Sequence, residues 1–209
     1  VFYIILLILS FLGYMLFLSR RANVATEFIP ILTVSGIICL LFVAGLLNIL
    51  PHTAWAILFG GLAALADGLV RLVRSGRIAA AGKLVTPGTI LFFLCICFCA
   101  VLFQNARLVH YDNFSHWGLI VKQMVQDDQM PNFTNTYITF QSYPPGSALF
   151  LYYISKFTGY RESIVIFTQT AMTAASILPI FAFLPKTNTE NEKSFIPKVL
   201  CTFLSLTGT

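Results

Sequence analysis

Long apolar runs alternate with short polar breaks along this chain. The runs cover residues 1–19, 28–50, 54–72, 87–104, about 146–160 and 163–184, and a seventh begins at 195–209. A bilayer core about 30 Å thick takes roughly 20 apolar residues in helix, so each run reads as a membrane span. The fifth is the shortest and carries Lys156. Strands of a membrane barrel would alternate apolar and polar residues over about ten positions, and these runs do not alternate. The pattern predicts an all-α protein, a polytopic transmembrane helical bundle. The chain starts at Val1 inside one apolar run and stops at Thr209 inside another, so it reads as a fragment of a longer polytopic protein.

Composition agrees. Hydrophobic residues make up 57% and charged residues 10%, and the mean hydropathy is +0.82. Soluble domains carry about 25% charge. A soluble globular domain, a disordered chain and a disulfide scaffold are thereby excluded. Positive charge sets orientation, because cytoplasmic connections carry the excess of Lys and Arg. Placing Arg20 and Arg21 inside also places Arg71, Arg74, Arg77, Lys83, Lys156 and Arg161 inside, eight of the 13 basic residues. The sequence pI near 9.0 is then a topology signal. No basic stretch interleaves with aromatics as single-strand nucleic-acid binding needs, so nucleic acid is not an expected partner.

The connections divide the chain into three parts. Residues 1–104 form about four N-terminal spans, 105–143 a long outer loop, and 144–209 further spans truncated at the C-terminus. Structureless connections beyond about 12–15 residues are uncommon unless functional or disordered. This one has 39 residues and includes Trp117 and several Phe and Tyr, so it is the candidate active-site segment. Apolar residues at 114, 117, 120, 121, 124 and 125 repeat with helical period. They predict an amphipathic interfacial helix capped by Asp112 or Asn113, with Lys122, Gln123 and Gln126 on the polar side. Asp127 and Asp128 are expected to be solvated. Tyr143-Pro144-Pro145-Gly146 turns the chain into the fifth span, Pro suiting a helix first turn.

An early Asp in Tyr111-Asp112-Asn-Phe-Ser-His116-Trp117, an interfacial helix and the Tyr143–Gly146 turn resemble the GT-C superfamily of membrane glycosyltransferases. The aminoarabinose transferases and protein O-mannosyltransferases belong to that superfamily. The resemblance covers about half of the chain, from the fourth span onward. It implies transfer of a sugar from a polyprenyl-phosphate-type lipid carrier to a hydroxyl acceptor on the outer face. The implied partners are membrane lipid, the lipid-linked donor and an unknown acceptor. Short loops and the absence of cysteines from the outer loops suggest the inner membrane of a bacterium as the setting.

The residue inventory suits that chemistry. A sugar ether needs two carboxyl groups for cleavage, because its leaving alcohol must be protonated. A lipid phosphate leaves as a stable anion, so one carboxylate taking the acceptor's proton suffices, with cations steadying the phosphate. Asp112 is the candidate catalytic base; Arg107, His110, His116, Lys122 and Tyr143 are candidate substrate-binding residues. No cofactor is required. Some members of the superfamily use a divalent metal, for which Glu190 and Glu192 in the following polar stretch are a spaced carboxylate pair. Asp67 reads as a structural carboxylate paired with Arg71 four residues on. Cys39, Cys95, Cys97, Cys99 and Cys201 lie in apolar runs and read as small hydrophobes. Asn113-Phe-Ser115 and Asn132-Phe-Thr134 match glycosylation acceptors by pattern. The competing readings are a transporter or flippase, whose paired polar residues would lie near mid-membrane, and a non-catalytic membrane subunit. Asp67 is the lone acidic residue within the runs, which favours the enzyme.

Overall fold

The computed structural model describes residues 2–75, 86–112, 117–131 and 145–183. The described residues are helical, with no strand among them. Seven α-helices follow one another: α1 Phe2–Arg21, α2 Ile29–Leu46, α3 Leu50–Ser75, α4 Pro87–Leu102, α5 Gly118–Asp127, α6 Gly146–Thr158 and α7 Glu162–Ile177. Short 3-10 turns at Thr26–Phe28 and Leu178–Phe183 extend α2 and α7. With those turns included, four helices are long and apolar enough to cross a membrane: Phe2–Arg21, Thr26–Leu46, Leu50–Arg71 and Glu162–Phe183. They mark an integral membrane protein. α4 is equally apolar but has 16 residues.

Local chemistry explains where the helices begin and end. Asn48 takes a left-handed conformation (φ 56°) after α2, one that Asn tolerates better than most residues. The Ile49 and Asn48 amides bond back to the Ala44 and Gly45 carbonyls, and Pro51 sits in the first turn of α3. Thr86 and Thr89 form a reciprocal capping box ahead of α4, with Pro87 in its first turn. Gly159 (φ 78°) ends α6 in a conformation that side chains resist, and one turn later Glu162 opens α7, its charge favoured by the helix dipole.

Packing fixes the directions. α1 and α3 run side by side in parallel: Tyr3 meets Trp55, Tyr14 donates to the Ile57 carbonyl (2.8 Å), and Arg20 reaches Asp67. A Cβ on Gly13 would run into the Gly61 carbonyl oxygen and lie 2.8 Å from the Leu65 nitrogen. The two backbones therefore touch, as small residues permit between membrane helices. As expected, Asp67 pairs with Arg71 (2.8 Å); it also holds Arg20 of α1. α2 returns between them, and α4 and α7 lie antiparallel, with Gly88 beside both Phe181 and Glu27. Phe28 packs on Phe183 at that same end. One end of the bundle thus carries Arg20, Arg21, Glu27, Asp67, Gly88 and Phe183. The opposite end carries Tyr3, Trp55, the end of α4 and the start of α7.

α6 departs from the expectation for 146–160. It has 13 residues, about 20 Å at about 1.5 Å per residue, against the roughly 30 Å of a bilayer core. Gly146 lies beside Ile38, midway along α2. Phe157, at its other end, packs against Trp55 and Tyr3. The helix therefore starts at mid-height and ends where α4 ended, so it does not traverse the bundle. Lys156 and Arg161 accordingly do not share the end that carries Arg20 and Arg21, and their expected grouping with those residues is corrected. The cause is tertiary: Lys156 bonds Asp128 and Tyr160 bonds Gly118, both in the segment that precedes α6.

Candidate functional site at the α4–α7 end of the bundle

Three pieces of chain converge at this end: the segment 103–112 leaving α4, the helix α5, and the hairpin of α6 and α7. The Leu108 amide donates to Glu162 Oε2 at 2.9 Å, pinning the first piece to the start of α7. The Tyr160 hydroxyl donates to the Gly118 carbonyl at 3.3 Å, pinning the start of α5. Burial and then the negative charge of Glu162 push the Tyr160 phenol above its ordinary range, which keeps it a donor.

Asp112 is exposed, with His110 Nδ1 3.5 Å from its carboxylate. The Asp112 amide also points at the same nitrogen, at 3.4 Å. One nitrogen cannot serve both at once. Arg107 is exposed a few residues earlier on the same segment, and Lys122 is exposed on α5. His116 and Tyr143 lie outside the described residues, as do Asn113 and the Glu190/Glu192 pair. The cap expected at Asp112 or Asn113 turns on residues 113–116, which lie outside the described residues.

Two expectations for the loop are corrected. Gln123, assigned to the polar side of α5, is buried with Ile120, Val121 and Met124. More than half of the helix perimeter is covered, so the side opposite the apolar stripe is not all solvent. Asp128, expected to be solvated, is half-buried and accepts from the Tyr152 hydroxyl (2.9 Å) and from Lys156 Nζ (2.7 Å to Oδ1). It sits at the left-handed C-terminal position of α5 (φ 54°). Two residues on, the Met130 side chain fills the space over Gly45, where a Cβ would approach it to 2.6 Å. These contacts clamp the end of α5 to α6 and α2. Neither partner of Asp128 lies close to it in sequence, which hid the cluster from pattern reading.

Between these pieces opens a cleft of about 460 Å³ lined by Leu108, Trp117, Ser147, Leu151, Gln169 and Thr170, among others. Leu108 and Trp117 flank Asp112 in the chain, and Asp112 is not itself among the described lining residues. A separate cavity of about 310 Å³, almost wholly apolar, lies between α1, α2, α4, α6 and α7. Among the described residues no group of three His, Cys, Asp or Glu side chains converges as a metal site, and Cys39, Cys95, Cys97 and Cys99 are free thiols. No protein family, curated protein or solved structure matches the chain.

Proposed function

We propose that the chain is the catalytic part of a polytopic membrane glycosyltransferase of the GT-C type. In this reading it moves a sugar from a polyprenyl-phosphate-type carrier to a hydroxyl acceptor. The observation that carries the reading is an exposed His110–Asp112 pair in the stretch of chain between Leu108 and Trp117, two residues that line a cleft at the bundle end. An apolar cavity in the same bundle is open to a lipid chain. A carboxylate at a membrane surface suits removal of a proton from an acceptor hydroxyl as the bond to the anomeric carbon forms. The phosphate leaves with the electron pair of the broken bond, and Arg107, five residues before Asp112 in the chain, is a cation to steady it, with His110 as a further polar partner. The electron count closes without a general acid.

In this reading α5 lies at the membrane interface, with the α4–α7 end outside. Six basic residues, Arg20, Arg21, Arg71, Arg74, Arg77 and Lys83, belong to the opposite end or its connection. Four, Arg107, Lys122, Lys156 and Arg161, belong to the loop end. The positive-inside asymmetry still favours an outer loop, and a bacterial inner membrane fits it.

The test is Asp112→Asn, which keeps size but removes the base. Transfer from a lipid-linked donor in membranes should fall by about 10²–10⁴-fold, with insertion unchanged. Asp127→Asn, at an exposed carboxylate on α5, should stay near wild type. Undiminished transfer by Asp112→Asn would remove the assignment.

A further inference from the structure

We infer that the cleft walled by Trp117, Ser147, Gln169 and Thr170 binds an uncharged glycosyl ring, and that a phosphate is not held there. For its biological role this rests on the glycosyl-transfer reading; for its binding chemistry it does not.

The lining is the argument. None of the described residues that line the cleft is charged, although Arg107, Asp112 and Glu162 all lie nearby in the chain. A phosphate placed there would lose water without gaining a cation, which is strongly unfavourable. An acyl or prenyl chain would in turn strand the polar groups, and the neighbouring, nearly all-apolar cavity suits such a chain better. What remains is a ligand that is neutral, hydroxyl-rich and partly apolar.

The polar groups are placed for that ligand. Gln169 stands seven residues past Glu162, about 10 Å along α7. There its amide has a donor and an acceptor to offer together. Thr170 Oγ1 donates to the Ile166 carbonyl (2.9 Å), so its lone pairs face outward as acceptors. Ser147, in the first turn of α6, can donate or accept. Trp117, 41% exposed, presents an indole at the mouth. A sugar ring has one carbon–hydrogen face for an indole and a girdle of hydroxyls for the amide and hydroxyl groups. At about 460 Å³ the cleft is within the usual range for small-ligand pockets, about 300–1,000 Å³.

The chain has two tryptophans, so Trp55→Phe leaves Trp117 as the sole indole reporter. We would titrate this variant, in lipid nanodiscs, with methyl glycosides of common hexoses and pentoses and with inorganic phosphate, following Trp117 emission. At least one glycoside should shift the emission saturably, and phosphate should not. Gln169→Leu should weaken that glycoside about five- to tenfold, as expected for one lost neutral hydrogen bond. Gln169→Asn, which shortens the reach by one carbon, should weaken it too, and it guards against a folding defect peculiar to Leu. A citronellyl-phosphate-linked form of the same sugar should displace the glycoside if the ring is the donor's, and bind beside it if the ring is the acceptor's. A shift with phosphate and none with any glycoside overturns the inference, as does undiminished glycoside affinity in both Gln169 variants. Failure here with Asp112→Asn still inactive would leave transferase chemistry standing and remove only this subsite. Success here with Asp112→Asn fully active would do the reverse.

Discussion

Removing Lys156 should loosen α5 from the bundle, by an amount the geometry allows one to size. Lys156 Nζ lies 2.7 Å from Asp128 Oδ1, and the two side chains are 22% and 35% exposed. Coulomb attraction at that separation is about 6 kcal/mol with an effective dielectric of about 20. Desolvation and solvent screening offset most of it. Exposed pairs contribute about 0–1 kcal/mol, whereas breaking a fully buried one costs about 3–5 kcal/mol. At intermediate burial, Lys156→Met should cost about 2 kcal/mol, because it leaves a half-buried carboxylate with only the Tyr152 hydroxyl. Amide hydrogen exchange along Gly118–Asp127 reads this directly, since about 2 kcal/mol corresponds to roughly thirtyfold faster exchange through local opening. Asp128→Asn keeps the left-handed backbone and a partner for Tyr152, and Lys156 can then extend to water, so its effect should be nearer tenfold. The double variant should exchange no faster than Lys156→Met alone. Multiplied effects in the double variant would show that the two groups act independently and refute the clamp.

Two further outcomes follow from the packing. Gly13→Ala should destabilise by about 2 kcal/mol, because the added carbon meets backbone of α3 and cannot be accommodated by a side-chain shift. Gly36→Ala, with nothing within 4 Å of the new carbon, should gain up to about 1 kcal/mol from helix propensity; thermal unfolding in detergent ranks the two. Tyr160→Phe should cost about 1 kcal/mol for one hydrogen bond. Because the Tyr160 phenol is raised in the folded state, its contribution to stability should be intact below the ordinary value near about 10 and decline as pH rises above it, a slope that unfolding titrations should find missing in Tyr160→Phe.

Helices announce themselves in this sequence because membrane-length apolar runs are a one-dimensional signal. The boundaries at Arg21, Leu46, Leu50, Pro87 and Leu102 fall within a few residues of the ends of those runs. Charges, Asn48 and the two prolines supply the stops and starts. Residues 146–160 mislead for a physical reason. Thirteen helical residues flanked by apolar neighbours have the composition of a short span, and only contacts across the fold tell a traversing helix from one that turns back. Those contacts join Lys156 to Asp128 and Tyr160 to Gly118, 28 and 42 positions apart. The period in α5 put Ile120, Val121 and Met124 on one apolar face, and all three are buried, yet it put Gln123 on the polar side, because one apolar stripe cannot report a helix covered on two sides. Asp112 was legible as an early loop carboxylate. The neutral cleft was not, since Ser147, Gln169 and Thr170 carry no charge and come from two helices; the signal present was a polar Gln-Thr pair inside an apolar run.

The side of the membrane on which Arg161 stands tests the account most directly. In a cysteine-less background, single cysteines at positions 74, 107 and 161 would be labelled in intact cells with a membrane-impermeant thiol reagent. If α6 turns back as the packing shows, positions 107 and 161 label together and position 74 does not. Labelling of 107 without 161, or of 161 together with 74, would mean that α6 crosses the bilayer, and the site built from α5, α6 and α7 would come apart.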